Sequence, residues 1–288
     1  KPTPSPTAKW CNAPSAPPQK AKAGTPQKGA KNETTTAAPK KEEPAPEEEE
    51  PQQTENEIKK KEGWPAQEEI DKIERRGHWI ADYARAVLHA KALLPPFKSA
   101  KDKPDIHVAI KDDYDWTVFF GKMPRDAKTF KPSHVYSAPN DYPNMMKEAR
   151  PNEFIFKDLV PFAKAAYAAL TALGAFHLDK LEPIVLREKD KTITVYLKPI
   201  TKNRKNFIIG GDCKLSVSAD GSSVLKKETL HLRSIELALK TETVGGFHKH
   251  DAGDLPTETD VATVLLHPSI APHYVAAPVW FSEINKEG

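Results

Sequence analysis

An α+β domain behind a disordered tail is the architecture this sequence predicts, and three observations carry it. Residues 1–62 hold almost no large apolar side chain apart from Trp10. Two later stretches repeat apolar residues at three- and four-residue steps, as helices do. The remaining apolar runs are short and alternating, and no regular βαβ order links them to the helices. A mixed sheet flanked by helices is therefore expected, not a doubly wound one.

The tail is rich in Pro, Lys, Glu, Thr, Ala and Gln. Such a segment buries too little apolar surface to offset the entropy of ordering it, so 1–62 reads as disordered. Its charge comes in blocks, basic over 1–41 and acidic from Glu42 to Glu57, and its prolines favour an extended spacer. About 225 residues remain, enough for one full core. They divide into a helix-plus-hairpin portion, 63–151, and an α+β core, 152–288.

The net charge is only +3, with Lys and Glu interspersed, and no aromatic–basic interleaving marks a nucleic-acid groove. Cys11 and Cys213 are the only cysteines, which provides neither a disulfide framework nor a thiol zinc site. No apolar run approaches the length of a membrane span. The chain starts at Lys1, which reads as a processed or truncated start. A Pro-rich spacer of this kind suits a domain tethered outside the cytoplasm.

The first helix is expected over 65–94. Ile70, Ile73, Gly77, Ile80, Ala84 and Val87 form its stripe, Pro65 starts it, and Pro95-Pro96 stops it. Strands at 106–110 and 114–120 flank a polar turn at Lys111-Asp112-Asp113, with Trp116, Phe119 and Phe120 as core. Asp112, Asp113 and Asp115 lack the glycine turn and distal glutamate of a calcium loop and read as part of that hairpin. The run 123–151 carries five prolines and reads as loop. A second helix spans 158–173, with Pro161 in its first turn and Gly174 after its end. Strands follow at 183–187, 192–197, 212–218 and 223–232, the last two joined by an Asp220-Gly221 turn. A short strand at 244–248, a helix at 257–266, and strands at 273–277 and 279–284 complete the chain.

Phe247-His248-Lys249-His250 is the most chemically informative stretch. In an extended strand, the period of two puts both imidazoles on one face. Asp260 follows inside Pro256-Thr257-Glu258-Thr259-Asp260, at a helix start. Two histidines and an aspartate with one open position are a donor set of catalytic zinc. The same Thr257-x-x-Asp260 is also a capping box, which explains both residues without a metal. The other histidines suggest less. His231, in a strand, and His267 and His273, beside Pro-rich turns, are expected at the surface.

Taken in order, Gly246-Phe247-His248-Lys249-His250, Pro256-Thr257-x-x-Asp260 and Tyr274-Val275-Ala276-Ala277-Pro278 resemble the core of the JAMM/MPN (JAB-like) metallopeptidases. The likeness is nearest to secreted-type bacterial members and covers roughly 158–284. That family also has a glutamate on an earlier strand, and Glu182 occupies its place. The resemblance implies zinc on His248, His250 and Asp260, Glu182 as general base, and Thr257 as a donor to the oxyanion. The reaction implied is hydrolysis of a peptide or isopeptide bond in a protein or peptide substrate. Lys249 stands where a small hydroxyl residue is usual, Asp251 where proline is common, and Thr257 where serine is usual. The loop is also one residue short. A second reading therefore stands beside the first: a binding or structural module of the same fold that has lost its metal.

Overall fold

The structure, a computed structural model, describes residues 65–123, 129–150, 153–173, 181–201, 206–238 and 245–288. The expected disordered tail, 1–62, lies outside the described residues, as do Gly174 and Val244. Pro65–Gly288 belongs to one compact unit.

Helix α1 (Gln67–Ala92) carries Glu68 and Glu69 in its first turn and His89 and Lys91 in its last, each charge placed to favour the helix dipole. It buries Gly77, Ile80, Ala81, Tyr83, Ala86, Val87 and Ala90, a wider stripe than the sequence suggested, while Ile70 stays exposed. The width follows from two neighbours, since α1 packs against a first sheet and against a later helix.

That sheet is antiparallel, in the order β1 (Ile106–Lys111), β2 (Asp115–Lys122), β3 (Lys131–Pro139), β4 (Lys147–Glu148). The expected loop after Met123 thus contains two strands and a 3-10 turn, Pro143–Met145. Its prolines concealed them because proline is tolerated at strand ends and bulges. Pro139 ends β3, and Pro132 pairs with Gly121 where the β2–β3 register shifts. Trp116, Phe119 and Phe120 are buried as expected. Asp112 Oδ1 accepts from the backbone N–H groups of Tyr114 and Asp115, so the acidic cluster is a polar hairpin.

Helix α2 (Glu153–Ala172) begins earlier than expected, which leaves Pro161 inside the helix instead of in its first turn. It covers a second antiparallel sheet, in the order β5 (Leu181–Arg187), β6 (Ile193–Pro199), β8 (Cys213–Val217), β9 (Val224–Thr229). Ala165, Ala166, Ala169 and Leu170 pack on Leu181, Val185, Val195, Leu197 and Leu215 on one face. Ile184 and Tyr196 face the other way and join the core beneath α1. Both faces being buried, Ile193 through Leu197 are all buried, as a two-sided strand requires. Asp220-Gly221 forms the expected turn. Gly221 has φ +76°, and a Cβ there would stand 2.0 Å from the Pro161 carbonyl oxygen of α2.

Two further strands were not foreseen: β7 (Asn206–Gly210) and β10 (Ser234–Ala238), paired as an antiparallel ribbon. Most of β10 is exposed, so it carries no clear buried alternation. The strand expected over 223–232 ends at Thr229, and Leu230 and His231 turn inward.

The chain finishes with β11 (Gly246–Lys249), helix α3 (Glu258–Leu266), β12 (His273–Ala276) and β13 (Phe281–Ile284). β11 pairs parallel with β12, and β12 antiparallel with β13. α3 packs against α1 so closely that a Cβ at Gly77 would lie 2.5 Å from Val261. Among the described residues, no helix is long and apolar enough to cross a membrane.

Two predictions follow from this packing. Gly77→Ala should destabilise the domain by about 1–3 kcal/mol despite alanine's better helix propensity, because α3 must move. Adding Val261→Ala should recover part of that loss, measured by urea denaturation; a stable single variant would refute the close approach. The second concerns acid. His107 is held down to about 4 by burial and Lys91, and His267 to about 4 by burial and Lys198. The unfolded chain takes up these protons near pH 6.5 and the fold does not, so stability is full above that pH and lost as pH falls toward about 4. His267→Gln should flatten the fall in urea midpoint between about pH 7 and pH 5.

Candidate metal centre

Four segments converge on one buried carboxylate. The extended β11 turns Phe247 and Lys249 outward and His248 inward, and His250 follows on the same inner face. The His250 N–H donates to the Ala276 carbonyl at 2.8 Å, which continues the pairing with β12 past the strand end. Gly246 is required here, since a Cβ would lie 2.0 Å from Nδ1 of His273.

Thr257 caps α3 in a capping box. The Asp260 N–H donates to Thr257 Oγ1 at 3.3 Å, and Asp260 Oδ2 accepts from the Thr257 N–H at 2.8 Å and its hydroxyl at 2.9 Å. Both sequence readings of Asp260 are therefore realised on one side chain. Oδ2 closes the cap, and Oδ1 points among the imidazoles. Oδ1 lies 3.0 Å from His231 Nε2 and 3.4 Å from His248 Nε2, while His250 Nε2 is 3.8 Å from Oδ2.

His231, which the sequence placed on a strand at the surface, is only 6% exposed and lies beyond the end of β9. Its Nδ1 meets Asp212 Oδ1 at 2.5 Å, just before β8. The physical reason is local: Leu230 and His231 turn into the interior together, and the Leu230 N–H donates to the Asp212 carbonyl at 3.2 Å. His273, also expected at the surface, is 2% exposed and bonds His248 Nδ1 through Nε2 at 2.8 Å. Nothing in the spacing of His231 and Asp212 marks them as partners. Only the fold brings them together.

The donors fit a metal ion. His231 Nε2 is paired with Asp260, whereas Nε2 of His248 and of His250 are buried with no hydrogen-bond partner among the described residues. Unpaired buried nitrogens are individually costly, and two beside one paired carboxylate call for a shared partner. Donor atoms of His231, His250 and Asp260 all lie within 4.8 Å of one another, so this cluster could hold a metal ion. Around a tetrahedral ion with bonds of about 2.0–2.1 Å, neighbouring donors stand roughly 3.3 Å apart. The Asp260 Oδ1 contacts of 3.0 and 3.4 Å fall on either side of that edge.

The electrostatics agree. Burial alone would depress His231, but Asp212 and Asp260 more than reverse it and raise the ring to about 10. Burial would raise both carboxyls, yet His231 holds Asp212 and Asp260 below the usual carboxylate range, and His248 deepens the effect on Asp260. His248 and His250 are pushed down by burial, against the pull of Asp260. Burial and His248 push His273 down to about 4. Asp260 is thus an anion, and His248 and His250 are poised as neutral donors.

Of the residues singled out from sequence, His248, His250, Asp260 and Thr257 come together. Thr257's hydroxyl is engaged inside the capping box and with Thr259 Oγ1 at 2.9 Å. Glu182 has other neighbours. Its Oε1 pairs with Lys91 and lies 3.8 Å from His107 Nε2. Burial would raise its carboxyl, but Lys91 and His107 bring it below the ordinary value. Cys213, for which the sequence provided no bridge, is fully buried and disulfide-bonded.

Compared with known proteins, the chain matches no family model, no curated protein and no solved structure. The likeness to JAMM/MPN metallopeptidases accordingly rests on the order of motifs alone.

Thr257→Ala should lower stability by about 0.5–2 kcal/mol through loss of the cap, and Thr257→Ser should retain it. Thermal unfolding of chelator-treated protein reads this without any metal contribution, and equal melting of both variants would contradict the cap.

Proposed function

We propose that this domain binds one zinc ion through His231, His248, His250 and Asp260, and that the ion holds the fold together. The observation that carries the reading is the convergence of three buried Nε2 atoms on Asp260, of which those of His248 and His250 have no hydrogen-bond partner among the described residues. Imidazole and carboxylate together suit zinc, and four protein donors complete its tetrahedron. Asp212 behind His231 and His273 behind His248 would orient the rings, as outer partners of metal-bound histidines do. The ion would join the end of β9, β11 and α3, which belong to different sheets and layers. A disulfide at Cys213 fits an oxidising compartment, in keeping with a domain displayed outside the cytoplasm on its spacer.

The second reading is the zinc-dependent peptidase or isopeptidase of the sequence resemblance. One observation favours it: donor atoms of His231, His250 and Asp260 all lie within 4.8 Å of one another, a group of three that does not need His248. With His248 off the ion, a water would take the fourth position, and zinc would supply its usual acidification of that water. Glu182 is the weak point of this reading, being paired with Lys91.

Metal analysis of the purified chain, with His231→Ala, His248→Ala and His250→Ala, separates the readings. Near-stoichiometric zinc in the parent, lost in all three variants, with a melting temperature that falls on chelation, is the expected result. Zinc retained by His248→Ala, together with cleavage of peptide substrates by the parent, would favour the hydrolase. Metal-free parent protein that melts unchanged when zinc is offered would refute both. Asp212→Asn should weaken zinc binding roughly 10–100-fold, read by competition with a chelating dye.

A further inference from the structure

Glu182 lines a cavity of about 680 Å³ between the end of α1, β1 and β5. Lys91, His107 and Glu182 place polar groups on one side of it, Lys103 and Asp105 also line it, and Phe97, Phe120 and Ile200 are among its apolar walls. Neither Asp260 nor the histidines around it line this space. Its size and its few convergent polar groups are those of a small-molecule site.

The polar groups have unused capacity. Among the described residues, the contacts of Glu182 with Lys91 and with His107 both fall on Oε1. Lys91 in turn pairs with Glu182, and its ammonium carries further N–H donors. His107 is only 7% exposed, and its Nε2 is buried with no hydrogen-bond partner among the described residues. A neutral ring that donates through its other nitrogen presents a lone pair at Nε2. Glu182 Oε1 and His107 Nε2 stand 3.8 Å apart, close enough for one donor to serve both, beside a cation on a flexible stem.

We propose that this cavity binds a small zwitterion with an apolar side chain, an apolar α-amino acid, its ammonium on Glu182 and His107 and its carboxylate on Lys91. The side chain would lie against Phe97, Phe120 and Ile200. A ligand carrying both charges matches a Lys–Glu pair without leaving either one uncompensated, which a simple amine or carboxylate cannot do. The proposal does not depend on the metal reading.

Calorimetric titration of the full chain with L-phenylalanine tests it, with phenethylamine, 3-phenylpropanoate and N-acetyl-phenylalanine as probes of each end. Phenylalanine should bind, and removing or blocking either charge should weaken binding at least tenfold. Glu182→Gln and Lys91→Gln should each produce a similar loss while the melting temperature stays near that of the parent. The ligand series in the parent protein decides the matter if either variant fails to fold. Equal binding of phenylalanine and its one-charge analogues would overturn the zwitterion assignment, and so would no binding by phenylalanine at the highest soluble concentration.

Discussion

The carboxylate of Asp260 is the constraint on which the C-terminal half depends. Its two oxygens do different work on opposite sides of the helix start. Oδ2 takes the Thr257 N–H and hydroxyl, which fixes where α3 begins and how β11 connects to it. Because that oxygen is held, Oδ1 has one direction left, toward His231 and His248. The cap thus sets the rotamer of the carboxylate at the centre of the candidate site, and a helix boundary becomes part of that site's geometry.

Charge explains why so polar a cluster can be buried. Two carboxylates, Asp212 and Asp260, flank His231, and in the absence of a metal its proton neutralises one of them. A divalent ion in its place would neutralise both and engage the nitrogens that a proton leaves unpartnered. Removing a charge partner from such a place is more damaging than removing the whole network, because the remaining ion has no water to turn to. Lys198 adds a further cation within the reach of Asp212, Asp260 and Glu182, and its Nζ is anchored on Thr263 Oγ1 at 2.7 Å. The interior between α3 and β6 therefore holds carboxylates and cations side by side.

Much of the fold was legible because its signals are local. The α1 periodicity, the Asp220-Gly221 turn, the capping box and the extended His248-x-His250 depend on residues a few positions apart. What escaped notice depends on distant packing. β3 was hidden by prolines that the β2–β3 bulge accommodates, and β10 by its exposure. His231 was misplaced because nothing between positions 223 and 232 signals that the strand stops at Thr229 and turns inward. Its role comes from Asp212 and Asp260, 19 positions before and 29 after it, and no spacing rule links the three.

Glu182 shows the limit of reasoning from motif order. It follows a helix and opens a strand, as the resemblance requires, and its position in the chain says nothing about its neighbours. The antiparallel register sets it opposite Lys198 on β6, while Lys91 from the end of α1 and His107 from β1 close around its Oε1. The flanking residues Leu181 and Pro183 point the other way and are buried, so a one-residue slip would turn Glu182 inward beneath α2. The apolar pattern of β5 thus forbids that slip. The same alternation that builds the second sheet therefore commits Glu182 to the Lys91 cavity. A base for hydrolysis at Asp260 would have to come from elsewhere, or Lys91 would have to release it.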